Sequence, residues 1–253
     1  MQVGSLARSS RFRETLYLVT PSLGSPTLVL VPTDLERKRL IDQGGFEPGS
    51  GLVSLCGFGP IAAAARTTQL LHQLTPARVL LVGIAGAFDT STHPVGSAHE
   101  FTAVSVAGVG VGEGERFQGP PALGFPQWPG SPGTTPQPIL DRIELAPGKD
   151  ATGGVLLTTC AASDSPEHAQ IRRANHPQAT CEDMEGFAVA LACSLARTPL
   201  RIVRGVSNEV GDRDASQWRI PGALGAAREL ARTILASNEG WERSDAGAEG
   251  SDS

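Results

Sequence analysis

Short apolar runs alternate along the chain with longer segments in which apolar residues recur at helical spacing. The apolar runs predict strands at Thr27–Val31, Leu52–Leu55, 78–82, 155–159 and 202–206. The helical spacing predicts helices from about residue 34 and over 61–74, 166–174, 184–196 and 222–236. In the helix over 184–196, one apolar stripe comprises Phe187, Ala188, Leu191, Ala192 and Leu195. Strands that alternate with helices in this way predict a doubly wound α/β sheet.

The strand over 78–82 is followed by the glycine-containing segment 83–87. In a doubly wound sheet, ligands bind at the carboxyl ends of the strands. Glycines at such an end allow a ligand to approach backbone N–H groups closely. The same glycines also fit a tight turn from strand to loop, so the segment alone leaves both interpretations open.

The chain length favours one large domain, because 253 residues are commonly folded as one unit in α/β proteins. We place this domain at 27–236, after an N-terminal extension over 1–26. The tail over 237–253 is small, polar and acidic, which predicts disorder. Between them, the segment 118–138 contains seven prolines and predicts a long loop that is a candidate lid.

Charge and hydropathy narrow the range of partners. The net charge is −5 and no dense basic patch occurs, which argues against nucleic acid as a partner. The apolar stretch over 16–31 is interrupted by Pro21, Gly24 and Pro26, so we predict no membrane-spanning segment. These features indicate a cytoplasmic protein that acts on a small molecule.

The sequence contains no motif typical of a metal site or a cofactor site. The four cysteines lie far apart and fit packed hydrophobic residues in a reducing compartment: Cys56, Cys160, Cys181 and Cys193. The histidines show no metal-ligand spacing, and the dinucleotide, Walker and nucleophile-elbow glycine motifs are all missing. We therefore predict no metal and no cofactor.

A methionine, a carboxylate and an amide stand where a loop and a strand end could converge on one pocket. Met184 and Glu185 occur where the apolar helix begins, and Asn208 follows the strand over 202–206. Methionine offers an apolar contact, a carboxylate accepts two hydroxyl hydrogen bonds, and an amide both donates and accepts. That set suits a purine nucleoside. Taken alone, Glu185 also fits a solvated helix face, and Asn208 fits a turn cap.

Glu36 lies five residues beyond the first predicted strand. With Thr33 it forms the pattern of a helix capping box, in which the glutamate bonds back to the N-cap residue. A carboxylate at a strand's carboxyl end can alternatively hold and activate a water molecule. The local pattern favours the cap.

Six short motifs occur in an order and spacing that resembles the superfamily of nucleoside phosphorylases and nucleosidases, and within it the futalosine hydrolases. They lie at 31–36, 57–60, 83–86, 112–115, 182–186 and 204–214. The resemblance extends over residues 28–235. It implies a nucleoside phosphorylase-like fold, with a doubly wound mixed sheet flanked by helices.

The resemblance also implies a role for each matched residue. Glu36 positions the attacking water, and Met184 and Glu185 lie under and beside the ribose. Backbone near the reaction centre is supplied by Ala85 and Gly86, and the base is contacted by Ala162 and Ser163. Asn208 stands where adenine-specific nucleosidases carry aspartate. Because an amide can donate to O6 and accept from a protonated N7, this change implies a 6-oxopurine base.

The implied reaction is hydrolysis of futalosine to hypoxanthine and dehypoxanthinylfutalosine, in menaquinone biosynthesis. It passes through an oxocarbenium-like transition state, in a dimer or higher homo-oligomer whose neighbouring subunit completes the pocket for the 5′ group. Alternatives are a phosphorolytic purine nucleoside phosphorylase, a methylthioadenosine/S-adenosylhomocysteine nucleosidase, and a non-catalytic nucleoside-binding protein. Phosphorolysis would require an anion site, for which Arg66, Arg204 and Ser207 are candidates.

Overall fold

The computed structural model describes residues 26–46, 51–130, 137–237 and 241. The predicted extension and tail lie almost entirely outside the described residues, as do residues 131–136 of the proline-rich segment 118–138. The described part of that segment includes a short helix at Pro120–Leu123. Within the described residues, no helix is both long and apolar enough to span a bilayer.

Nine strands and six α-helices follow one another along the described chain. The strands are β1 (Thr27–Val31), β2 (Leu52–Leu55), β3 (Arg78–Ala87), β4 (Ala98–Glu100), β5 (Ala103–Val106), β6 (Arg142–Glu144), β7 (Val155–Thr158), β8 (Ala179–Asp183) and β9 (Leu200–Glu209). The helices are α1 (Asp34–Asp42), α2 (Pro60–Leu74), α3 (Pro120–Leu123), α4 (Pro166–Asn175), α5 (Gly186–Leu195) and α6 (Ile220–Ala236). A short 3₁₀-helix covers Gly114–Arg116.

Seven of the nine described strands form two parallel groups that run in opposite directions, while β4 and β6 pair antiparallel with β9 and β5, respectively. In the first group β2, β1, β3 and β9 are parallel, and in the second β8, β7 and β5 are parallel. The groups join where Gly86 and Ala87 of β3 pair antiparallel with Glu182 and Cys181 of β8. The carboxyl ends of both groups therefore meet at one junction, and the predicted mixed α/β sheet is confirmed.

Helices cover both faces of this sheet. One core contains buried residues of α2 and α5, and the other contains those of α1 and α6. The single apolar stripe predicted for α5 is only partly right. Leu195 is 45% exposed, whereas Val189 and Ala190 are buried, because α5 packs between the sheet and α2 and so buries more than one side.

Two predicted element boundaries were wrong at the junction. The strand predicted to stop at Val82 continues to Ala87, since β9 pairs with it along that whole length. Of the two interpretations of 83–87, the tight turn from strand to loop is therefore wrong. Helix α5 begins at Gly186, so Met184 and Glu185 precede it and are not helical.

Three of the four cysteines are buried as predicted, and all four are free. Burial raises the pKa of Cys56 and of Cys181 to about 12, so these thiols stay protonated. Cys160 is exposed, because it lies in the loop after β7 rather than in the core.

Candidate active site

A buried arginine occupies the centre of the strand junction. Arg204 on β9 has no exposed surface, and its Nε and Nη2 donate to Asp183 Oδ2 at 3.1 and 2.5 Å. Nη2 also donates to Glu185 Oε2 at 3.3 Å. Burial alone would lower the pKa of Arg204, but the charges of Asp183, Glu185 and Glu36 outweigh it and raise the pKa. Arg204 therefore stays cationic although it is buried.

Glu185 lies between this arginine and the start of α2. Its Oε1 accepts a hydrogen bond from the Gly59 N–H at 3.0 Å, and the residue is only 4% exposed. Burial raises the pKa of Glu185 to about 7, and the charges of Asp183 and Glu36 act in the same direction against Arg204. The solvated-face interpretation of Glu185 is thus wrong: this carboxyl group is enclosed and titrates near neutral pH.

Glu36 has two sets of partners. Its Oε2 accepts from Thr33 N at 3.0 Å and from Thr33 Oγ1 at 2.6 Å, and Thr33 Oγ1 accepts from Glu36 N, which confirms the capping box. The other oxygen, Oε1, accepts from the Ile84 N–H of β3 at 3.1 Å. The carboxylate thus caps α1 and at the same time faces the strand junction.

Gly83 shows how closely these groups approach one another. A Cβ added to Gly83 would overlap Arg204 Nη1 and lie 2.8 Å from Glu36 Oε1. Among the described residues, Arg204 Nη1 has no hydrogen-bond partner. A buried donor and a carboxylate oxygen therefore lie side by side at the Gly83 backbone.

Asn208 lies beside the backbone of β3. It pairs with Gly86 immediately after a register shift at Ala85. Ser207 Oγ donates to Asn208 Oδ1 at 2.7 Å, and Asn208 Nδ2 donates to the Glu209 carbonyl at 2.7 Å. Asn208 lies near the end of β9, and the Glu209 carbonyl that accepts from its Nδ2 also accepts from the Asp212 N–H at 3.2 Å, so its alternative role as a turn cap stays a prediction.

Ser163 belongs to the β7–α4 loop, residues 159–165. It is 2% exposed, and its N–H and hydroxyl donate to Glu182 Oε1 and Oε2 at 2.7 and 2.8 Å. Glu182 pairs with Gly86 in the sheet, which brings this loop to the same junction. Ala162 precedes Ser163 and is half-buried, and Met184 is half-buried between Asp183 and Glu185.

Roles for Asp183 and Glu182 were not predicted from the sequence, and Arg204 was predicted only as a candidate phosphate ligand. A signal existed in the strand itself. Arg204 interrupts an otherwise apolar run, and a charge inside a buried strand requires an opposite charge. The sequence does not say which carboxylate supplies it.

Comparisons with known proteins agree with this architecture. The family model of the Phosphorylase superfamily matches residues 49–237. Futalosine hydrolase of Streptomyces coelicolor is 34% identical over 191 residues, covering 74% of this chain and 79% of that protein. Futalosine hydrolase of Thermus thermophilus is 33% identical over 202 residues, covering 77% and 86%.

Solved structures show the same fold. Futalosine hydrolase of Helicobacter pylori superposes with a TM-score of 0.65 at 15% identity, covering 83% of this chain and 97% of that one. A methylthioadenosine/S-adenosylhomocysteine nucleosidase of Colwellia psychrerythraea, solved with adenine, gives a TM-score of 0.65 at 20% identity, covering 84% and 96%. The chain therefore belongs to the phosphorylase superfamily.

Proposed function

We propose that this protein hydrolyses the N-glycosidic bond of a 6-oxopurine nucleoside, namely futalosine, and releases hypoxanthine and dehypoxanthinylfutalosine. The observation that carries the proposal is the cluster at Gly83, where Glu36, Glu185 and Arg204 meet. Asn208 lies farther along the same strand pair, opposite Gly86. The choice of futalosine as the substrate is supported by the two relatives that are futalosine hydrolases, at 33 and 34% identity.

The sugar is held by Glu185 over Met184. When ionised, Glu185 accepts hydrogen bonds from the two ribose hydroxyls, while Met184 offers an apolar surface beneath the ring. The same negative charge offsets the positive charge that develops on the ribose as the glycosidic bond breaks. An enclosed carboxylate is effective in this role because few water molecules screen it.

The attacking water is held between Glu36 and Arg204. Glu36 Oε1 accepts a hydrogen bond from it, and Arg204 Nη1, which has no other partner in the described part of the chain, donates one. Buried donors are nearly always satisfied, so an unpaired guanidinium nitrogen in this place favours a bound water or hydroxyl group. Glu36 then accepts the proton as the water attacks the anomeric carbon.

The departing base is stabilised by Asn208. The purine takes a proton from solvent at N7 as it leaves, and the amide accepts from this N7–H and donates to O6, which fits a 6-oxopurine and does not favour a 6-aminopurine. The proton that Glu36 takes up returns to solvent, so the net reaction consumes one water molecule and releases the free base. Ala85 and Gly86 on β3 line the reaction centre, and Ala162 and Ser163 form the wall of the base pocket.

Charge balance favours hydrolysis over phosphorolysis. Around the cationic Arg204 lie three carboxyl groups, Asp183, Glu185 and Glu36, and two of them are within hydrogen-bond distance of its guanidinium. Such a cluster repels a phosphate dianion. Ser207 is not free for phosphate either, because its hydroxyl is engaged by Asn208 and by the Ala85 carbonyl.

The test is base release from futalosine, inosine and methylthioadenosine, each with and without phosphate. We expect rapid hypoxanthine release from futalosine, at the same rate in both conditions. A phosphate requirement, or adenine released faster than hypoxanthine, would overturn the proposal. A double variant, Glu36→Gln with Glu185→Gln, purified in parallel, controls for a contaminating nucleosidase.

We further propose that the reaction belongs to menaquinone biosynthesis in the cytoplasm, and that the active enzyme is a homo-oligomer. A gene deletion should stop menaquinone formation and lead to futalosine accumulation, measured by mass spectrometry of cell extracts.

A further inference from the structure

An ion pair outside the reaction centre holds the β7–α4 loop. Arg172 on α4 donates through Nη1 to Glu182 Oε2 at 2.7 Å, to Ser163 Oγ at 3.1 Å and to the Ala161 carbonyl at 3.0 Å. Glu182 in turn accepts both the N–H and the hydroxyl of Ser163. We name these three side chains, Arg172, Glu182 and Ser163, the loop clamp.

The loop clamp is largely buried, so its charged groups require partners of opposite charge. The side chains of Arg172 and Glu182 are 13% and 5% exposed. A buried carboxylate is costly unless its oxygens are satisfied, and here each oxygen of Glu182 has a partner. Loss of either member of the ion pair would leave the other without its main partner in a low-dielectric site.

The middle of the loop depends on the clamp. Before it, Thr159 is fixed by its N–H to the Asp183 carbonyl at 2.9 Å, and after it, Ser165 caps α4. Between these two anchors, Arg172 binds the Ala161 carbonyl and Glu182 binds Ser163. Ala162 lies between those two residues, so its position follows from the clamp.

Glu182 links the loop to the reaction centre without entering it. In a strand, successive side chains point to opposite faces, so Glu182 and Asp183 diverge. Asp183 binds Arg204, while Glu182 binds the loop. One strand therefore fixes the guanidinium on one side and the base wall on the other.

We propose that Arg172 and Glu182 are positioning residues that preorganise the β7–α4 loop as the wall of the base pocket and so set the affinity for the purine. This inference rests on the proposed function, because it takes the loop to contact the base. Neither residue touches the reacting atoms. They should therefore affect binding of the base much more than the chemical step.

Glu182→Gln is the main test. It keeps one oxygen for the Ser163 N–H but turns an NH₂ group toward Arg172, where an acceptor is needed. We expect the Kd for free hypoxanthine and the KM for futalosine to rise about tenfold, with kcat changed less than about threefold, the pattern of lost uniform binding. Arg172→Lys, which keeps the charge, should recover part of the affinity that Arg172→Ala loses.

Arg173→Ala is the matched control. Arg173 neighbours Arg172 on α4, but its Nη1 donates to the Phe88 carbonyl at 3.4 Å, outside the clamp. We expect its hypoxanthine affinity, KM and kcat to equal those of the wild type. A fall in Tm for Glu182→Gln with unchanged hypoxanthine Kd and KM would show a purely structural ion pair and overturn the proposal.

Binding and turnover separate the two proposals. Calorimetry with hypoxanthine tests the clamp even if the wild type cleaves no nucleoside, a result that would overturn the proposed function alone. Wild-type turnover of futalosine with no clamp effect on KM or Kd would overturn the clamp alone. A wild type that neither binds hypoxanthine nor cleaves futalosine would overturn both.

Discussion

At the scale of single residues, the neutral side chain at position 208 determines the expected base preference. Asn208 is held by Ser207 and by the Glu209 carbonyl, so its amide has a defined orientation. We predict that Asn208→Asp lowers hypoxanthine release from futalosine by at least tenfold, about 1.4 kcal/mol in barrier, and raises adenine release from methylthioadenosine. Liquid chromatography of the released bases measures both.

Base release by the wild-type protein can contradict this prediction. Equal rates of base release from inosine and adenosine, which differ in the group at C6, would show that the amide does not select the base.

The protonation state of Glu185 predicts a pH dependence of activity. Burial raises its pKa to about 7, and only the ionised form can accept both ribose hydroxyls. We expect kcat/KM to rise as the pH increases through about 7. Glu185→Gln should remove this limb and lower the rate by at least tenfold, about 1.4 kcal/mol. A pH–rate profile of both proteins measures this.

The same raised pKa has the opposite effect on stability. The folded protein binds this proton more tightly than the unfolded chain does, so the contribution of Glu185 is greatest below pH 4.5 and is lost as the pH rises to about 7. The Tm of Glu185→Gln, relative to that of the wild type, should therefore increase between pH 5 and pH 8. An unchanged difference in Tm across this range would contradict the raised pKa.

Glu36 combines a structural and a proposed catalytic role, which two substitutions separate. Thr33→Ala removes the cap oxygen and keeps the carboxylate, so we expect a loss of about 1 kcal/mol in stability with near-normal turnover. Glu36→Gln keeps one acceptor but cannot take up a proton, so turnover should fall by ~10²-fold. Steady-state rates and melting curves of both variants decide this, and near-normal turnover of Glu36→Gln would exclude the catalytic role.

At this scale, local patterns were predictable and distant pairings were not. The capping box of Thr33 and Glu36 depends on residues three apart in the chain, so the sequence predicts it directly. The partner of Arg204 depends on which strands lie next to β9. The order of the strands depends on the packing of the whole sheet, so the partner of Arg204 cannot be predicted from any short segment.

At the scale of elements, the long strand β3 requires glycine where it passes the reaction centre. A Cβ at Gly83 would overlap Arg204 Nη1, and this guanidinium is fully buried and fixed by Asp183. We predict that Gly83→Ala costs about 1–3 kcal/mol in stability, as overpacked cores do, and abolishes most turnover. Chemical denaturation and the base-release assay measure the two effects.

Gly222→Ala provides the matched control for that substitution. Gly222 lies in the first turn of α6, where an added Cβ meets nothing within 4 Å. Stability and turnover should therefore stay near those of the wild type. Wild-type turnover of Gly83→Ala would show that Arg204 can move without loss of function.

The elements rich in apolar residues were predictable, and the polar ones were not. Strand β8 carries the buried carboxylates Glu182 and Asp183, so its pattern does not indicate a strand, although it forms the junction of the sheet. The start of α5 was misplaced for a related reason. Thr158 Oγ1 of β7 accepts from the Phe187 N–H, and Asp183 Oδ2 accepts from the Gly186 N–H, so a distant strand and a residue three positions upstream together fix this helix end.

At the scale of the whole molecule, exposed apolar side chains near the reaction centre favour a homo-oligomer. Phe58 and Ile61, which are 67% and 83% exposed, flank the Gly59 that donates to Glu185. Phe125 is 75% exposed in the segment after α3. The two large exposed apolar side chains at the start of α2 favour a contact with another protein surface.

We predict a dimer or higher homo-oligomer that includes this surface. Light scattering during size-exclusion chromatography should give at least twice the mass of one chain, and Ile61→Glu should shift it to one chain and reduce turnover. A wild-type monomer with full activity would contradict this.

The pairing of β3 with β9 also determines how the chain can fold. Val79 pairs with Leu200, and the whole second group of strands lies between them in the chain. During synthesis on the ribosome, the first half-sheet cannot be completed until β9 has emerged, and closing so long a loop is entropically costly. The nascent chain therefore exposes the edge of β3 from the synthesis of Ala87 until β9 has emerged, and truncated chains that end before β9 should be substrates for chaperones and proteases.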